Sequence, residues 1–200
     1  MVRHLYTVFF LSCFVGCVPQ HRADDNTFYT YVREQVQSLD PIHAHDLFSH
    51  QMSAQVYEGL YHFHFLKRPL TVEPLLAGAL PRVTADGLTY TISLKKNIRF
   101  HDHPCFPQGR GRLMVADDFI YSLKRLADPK NRSESFWIVE NKISGLDEWR
   151  RDRAPYSQDI SGLKALDAHT LQIQLRRPNY QFLQSLTMAA TAVVPHEAVE

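Results

Sequence analysis

The chain has 200 residues, 44% hydrophobic and 22% charged, a balance that excludes a disordered tract, a collagen-like repeat and a multi-pass membrane protein. Lys and Arg number 22 against 21 Asp and Glu, for a formal charge of +1. So even a balance argues against nucleic acid as the main partner, because counterion release needs a basic excess, and the length allows one or two domains with a sizeable core.

Residues 1–17 read as an export signal. Arg3 and His4 give a basic start, and Leu5 to Val15 is an apolar run shorter than the ~20 residues a spanning helix needs. The run ends in Phe14-Val15-Gly16-Cys17, which resembles the bacterial lipoprotein cleavage box despite Phe14 where Leu is usual. Cys17 is therefore expected to become a lipidated N-terminus, held stably by two or more acyl chains. Plain secretion with cleavage nearby is the alternative. Cys13 and Cys17 both belong to the signal, so Cys105 is left without a partner for an internal disulfide. Residues 18–27 are polar and aperiodic, a tether.

Phe28 to Val32 is β-rich and predicts the first strand. Ser38-Leu39-Asp40-Pro41 predicts a turn, since Pro41 keeps Asp40 out of a helix. Ser49 is expected to cap a helix running to about Leu60, with Met52, Val56 and Leu60 on one stripe and Gly59 near its end. Pro69 to Pro81 reads as a Pro-punctuated loop. Asp86-Gly87 marks a turn, and Leu88 to Leu94 alternates apolar with Thr and Ser, a half-buried strand. The clearest helix spans Asp117 to Ala127, with Phe119, Ile120, Leu123, Leu126 and Ala127 on one face. Asp117 and Asp118 suit its positive end, Lys124 and Arg125 its negative end. Thr170 to Leu175 is a second alternating strand, paired as a hairpin with Leu163 to Leu166 through Asp167-Ala168-His169. Asn179 caps a further helix with Phe182, Leu183 and Leu186 inward. Pro195 to Glu200 looks like a helix beginning where the chain stops, which suggests a piece of something longer. Strands and helices interleave without a strict βαβ rhythm, an α+β pattern.

Nine segments then stand in a recognisable order. They are Ser38–Pro41, Tyr57–Leu60, Pro74–Ala77, Leu88–Lys95 with Phe100-His101-Asp102, Ala116–Arg125, Asp128-Pro129, Gly145–Glu148, Ala165–Leu171 and Val194–Ala198. From about residue 28 onward the chain resembles the extracellular solute-binding proteins of family 5, the oligopeptide- and dipeptide-binding components of ABC importers. The resemblance implies a periplasmic binding protein-like class II clamp that closes around an extended peptide and presents it to a membrane permease. It implies a periplasmic monomer, lipid-anchored, without a cofactor and without enzymatic activity. Residues 28–58 would begin the first lobe, 59–195 would form an inserted α+β subdomain, and 196–200 would return into the lobe.

Such clamps hold peptides chiefly by main-chain hydrogen bonds, which bind without reading sequence. The resemblance places His45, Asp46 and Leu47 on the ligand-lining strip, with His45 where relatives often carry a carboxylate. It places Phe136 or Trp137 on the cleft wall, where aromatics give rigid contact area; core packing is the alternative for one of the two. Pro104 to Arg112 is an insertion, flexible and basic through Gly109-Arg110-Gly111-Arg112. The same scaffold takes haem, nickel complexes or sugars in some relatives. His101, His103 and Cys105 have metal-ligand chemistry, but an extended segment does not build a tetrahedral site from them. A metal-dependent hydrolase and a fragment without binding function are the other readings. Asp117-Asp118 is not a catalytic pair, because adjacent helical residues diverge.

Overall fold

The computed structural model describes Tyr31 and residues 34–199. The signal segment, Cys17, the tether 18–27 and, apart from Tyr31, the strand expected at Phe28–Val32 lie outside the described residues.

A sheet of order β3-β4-β6-β5 sits at the centre, with every pairing antiparallel. Its strands are β3 (Arg82–Val83), β4 (Thr89–Ser93), β5 (Leu163–Asp167) and β6 (Thr170–Gln174). The two alternating runs form its middle. Tyr90 and Ile92 of β4 and Leu171 and Ile173 of β6 are buried, while Ser93 and Gln174 face water. Thr89 opposes Gln174 and Ser93 opposes Thr170. A register shift between Ala165 and Asp167 lets the Asp167 carboxylate accept from the His169 amide at 2.7 Å, which tightens the predicted hairpin turn.

The predicted helix is present as α2 (Ala116–Ala127), after a shorter α1 (Leu47–Ser53). Phe119, Leu123 and Leu126 of α2 are almost wholly buried, and each buried side chain of this size is worth roughly 1.5–3 kcal/mol in transfer from water. Asp118 accepts from the Val115 amide at 2.8 Å, so one otherwise unpaired first-turn donor is satisfied. Pro129 forces Asp128 into extended backbone, φ −64° and ψ 119°, and the helix stops there. Lys124 and Arg125 are themselves buried rather than solvated at the helix end. Lys124 donates to the carbonyls of Tyr156 and Gln158 at 2.6 and 2.8 Å.

Three sequence expectations change. The first helix is capped by Asp46, not Ser49, and ends at Ser53, not near Leu60. Ser49 is turned inward, where its hydroxyl oxygen accepts from the amides of Gln37 and Ser38. Leu60 lies in a bend just before the strand at Tyr61, outside any helix, and its carbonyl accepts from the Leu75 and Ala77 amides. Val56 is half exposed and Leu60 wholly buried, so they share no stripe. Second, the Pro-rich segment is not structureless. Val72–Pro74 (β2) pairs with Tyr61–Phe63 (β1), Tyr61 opposing Pro74. Proline is tolerated there because the two strands form a pair in which either can leave an amide position unpaired. Third, the Pro104–Arg112 insertion is anchored. Phe106 is buried and stacks on Phe100 with centroids 6.0 Å apart, and Gly111 lies so close to the Phe100 carbonyl that a Cβ would stand 1.9 Å from its oxygen. Arg112 is not a free cation. It pairs with buried Asp118 at 2.6 Å and with Glu197 at 2.5 Å, tying the insertion to α2 and to the short 3-10 turn His196–Ala198.

Two short helices follow α2. The helix α3 (Leu146–Arg151) starts after Gly145, whose φ of +80° and contact with Ser161 leave no room for a side chain. The helix α4 (Phe182–Ser185) buries Phe182, whose ring meets Tyr90 edge-on at 5.2 Å; its N-cap is Gln181 and not the expected Asn179, whose Oδ1 accepts from the Gln181 amide ahead of the helix. Among the described residues no helix is long and apolar enough to cross a membrane.

Candidate functional site

The strip Asp40–Leu47 is irregular backbone, yet it is held from several sides. Asp40 is its anchor. Its carboxylate receives both terminal nitrogens of Arg125, with Nη1–Oδ1 at 2.8 Å, and accepts from the Ile42 amide at 3.3 Å. Burial alone would raise the Asp40 pKa, but the Arg125 guanidinium outweighs it and holds the carboxyl below its usual range. His43 bridges the other way. Its Nδ1 faces Asp40 Oδ2 at 3.2 Å and its Nε2 lies 2.7 Å from the Asn131 carbonyl, which can only accept, so Nε2 donates. Ser133 adds a hydroxyl donated to the Ile42 carbonyl at 2.8 Å. Three residues of the strip are thereby fastened to α2 and to the turn that follows it.

Further along, Asp46 starts α1, its Oδ1 accepting from the Ser49 amide at 2.8 Å. Hydrogen bonds from the Ser49 hydroxyl and amide hold its carboxyl below the usual carboxylate range. His45 and Leu47 are exposed, Leu47 by 65%.

The aromatic pair sits in a 3-10 turn, Glu134–Ile138, started by Ser133, whose side chain accepts from the Ser135 amide. Successive residues of such a turn point apart, and the two rings separate accordingly. Phe136 is buried with the Arg150 guanidinium 4.2 Å above its centroid, whereas Trp137 is 58% exposed with Lys142 Nζ 5.8 Å from its ring.

These segments meet around a cavity of about 310 Å³. Pro41, Ala44 and His50 line it from the strip and α1, Phe63 from β1, Ser135, Trp137 and Ile138 from the 3-10 turn, and Thr187 to Ala190 from the far side. Of the five residues named from sequence, Trp137 reaches this cavity. His45, Asp46 and Leu47 stand beside it while their neighbours Ala44 and His50 line it, and Phe136 faces the core. Nothing in the sequence pattern marks Thr187–Ala190, where the small Ala189 and Ala190 leave space beside Met188. A larger concavity of about 510 Å³ lies between Asn141-Lys142 and Arg177–Gln181, but its walls are exposed loops, with Tyr180 98% accessible. The smaller cavity is the better site, because buried Pro41, Ala44, Ile138 and Ala190 give it fixed walls.

The remaining candidates do not converge. His101 and His103 are exposed, His103 Nδ1 accepts from the Cys105 amide at 3.2 Å, and among the described residues no three potential ligands gather to hold a metal ion. Asp117 and Asp118 diverge, Asp118 to Arg112 and the Val115 amide.

This arrangement is not isolated. The chain is 30% identical over 179 residues to the periplasmic oligopeptide-binding protein OppA of Escherichia coli, an alignment covering 89% of this chain and 30% of that protein. It superposes on the murein tripeptide binding protein MppA of Escherichia coli with a TM-score of 0.68 and 28% identity, covering 84% of this chain and 30% of the other. The substrate-binding domain of an oligopeptide ABC transporter from Bacillus anthracis shares the fold, with a TM-score of 0.71 at 23% identity over 85% of this chain and 30% of that one. The chain thus spans about 30% of the length of each. Residues 71–199 match the family model for the middle part of the bacterial extracellular solute-binding proteins, family 5. With that match over more than half its length, on a mixed α and β body of the periplasmic binding protein-like type, the chain belongs to the family 5 bacterial extracellular solute-binding proteins.

Proposed function

We propose that this chain supplies one wall of a peptide-binding clamp serving an ABC importer. The observation that carries the reading is the cavity bounded by the pinned Asp40–Leu47 strip and Trp137. At about 310 Å³ it lies at the small end of ligand pockets, which run from roughly 300 Å³ upward, and is too small to enclose an extended peptide. A second wall must complete it. In this reading residues 28–58 begin the first lobe and residues 59–195 are its inserted subdomain. His45, Asp46 and Leu47 border the ligand path, Trp137 packs against a ligand side chain, and Phe136 stays in the core behind the turn. The protein is exported and anchored through Cys17, acts as a monomer, and hands its ligand to a permease.

Titration calorimetry with a mixed tri- to pentapeptide pool tests this. The 200 residues alone should give no micromolar isotherm. Residues 34–199 grafted in place of the matching segment of Escherichia coli OppA should restore binding, and Trp137→Ala in that graft should weaken it about tenfold. Micromolar binding by the chain alone, or a graft indifferent to Trp137→Ala, refutes the reading.

A further inference from the structure

Phe65 and Leu66 are 88% and 79% exposed, and they sit side by side at the tip of the β1–β2 hairpin, with Leu70 59% exposed on the same loop. Single apolar side chains in water are ordinary, but three within six residues on one projecting turn form a patch with a purpose. The turn is also rigidly built. The His64 amide donates to the Thr71 carbonyl at 2.8 Å, closing the loop. His64 Nδ1 accepts from the amides of both Leu66 and Lys67, at 3.1 and 3.0 Å. Arg68 Nη1 donates back to the carbonyls of Phe65 and Lys67, at 3.3 and 2.8 Å. Pro69 has no amide hydrogen, and its carbonyl accepts from the Thr71 hydroxyl at 3.2 Å. The amides of Leu66 and Lys67 and the carbonyls of Phe65, Lys67 and Pro69 are therefore satisfied from within the tip.

That matters for the surface it can enter. Unpaired backbone groups make transfer out of water unfavourable, and at the apolar pair the Leu66 amide and the Phe65 carbonyl are already satisfied. Its charge is complementary too. Lys67 and Arg68 flank the apolar pair; Lys67 is shared with Glu73 at 2.6 Å, while Arg68 has no acidic partner among the described residues. We propose that this hairpin tip is a wedge for an anionic bilayer surface, with Phe65, Leu66 and Leu70 in the interfacial region and Arg68 and Lys67 at the level of the lipid phosphates. A convex tip with apolar and cationic side chains interleaved suits a deformable headgroup layer better than a preformed protein groove. The inference is independent of what the cavity binds.

The test needs a readout local to the tip. In the full chain, Phe65→Trp on a Trp137→Phe background leaves the buried Trp149 as the only other indole. With vesicles of equal parts phosphatidylcholine and brominated phosphatidylglycerol, emission of the introduced indole should shift blue and be quenched. Pure phosphatidylcholine or high salt should abolish most of the effect. Phe65→Ser with Leu66→Ser in the otherwise native chain should weaken anionic-vesicle binding measurably while leaving the thermal midpoint unchanged, since both side chains stand in water. An indole that stays in a water-like environment on anionic vesicles overturns the proposal. An indole shielded only when detergent-solubilised membrane protein is added overturns it in favour of a protein partner.

Discussion

Replacing Asp40 with Asn tests whether the Asp40–Leu47 strip is held by its ion pair. The Arg125 side chain is 9% accessible and that of Asp40 28%, so the pair is mostly but not wholly removed from water. Asp40→Asn keeps the shape, removes the charge, and turns an amide NH₂ toward one of the guanidinium donors. Breaking a fully buried pair costs about 3–5 kcal/mol, and the residual exposure of Asp40 reduces this to about 2–3 kcal/mol. With an ordinary urea dependence, the unfolding midpoint falls by about 1–2 M. The pH dependence has a definite sign. The folded carboxyl titrates below its ordinary 3.8, so its contribution is fully present above that value and is lost as pH falls through the lower, folded one. The gap between wild type and Asp40→Asn should therefore be constant near neutrality and close in acid. Urea unfolding at a series of pH values, with Arg125→Met to complete a double-mutant cycle, measures both. A midpoint change below about 0.3 M, or a gap that does not narrow in acid, refutes the reasoning.

Gly111→Ala places a methyl carbon 1.9 Å from the Phe100 carbonyl oxygen and 2.8 Å from that of His101, both backbone atoms. It should destabilise the body by about 1–3 kcal/mol, seen as a lower thermal midpoint, and an unchanged midpoint would mean that the insertion yields freely. Ser49→Ala removes the oxygen that accepts from the Gln37 and Ser38 amides, so stability should fall by about 1–2 kcal/mol and those two amides should exchange faster with deuterium.

What was legible in the sequence is what local periodicity encodes. The strands at 89–93 and 170–174 alternate because one face of each is buried, and α2 shows its apolar face directly. The β1–β2 pair was hidden because Pro69 and Pro74 read as loop signals, whereas its pairing depends on residues brought together across the turn. Ser49 misled in a similar way: both it and Asp46 have cap chemistry, and the choice between them rests on the distant amides of Gln37 and Ser38. Asp118 and Arg125 suit the helix dipole by position, yet their partners are Arg112 and Asp40, which no spacing rule connects. At the site, the segments that the resemblance names border the cavity of about 310 Å³, and of their five side chains Trp137 lines it. Trp137 and Phe136 are neighbours in sequence, and the pitch of a 3-10 turn decides which one meets the cavity.

Thr89 lies against Gln174, and Ser93 against Thr170. During synthesis, therefore, β4 can pair with β3 at once but waits for β6 on its other side until most of this segment has left the ribosome, with the whole of α2 produced in between. Closing so wide a loop is entropically slow. Until then, Tyr90 and Ile92 of β4 lack the Ile173 and Leu171 that stand opposite them in the finished sheet.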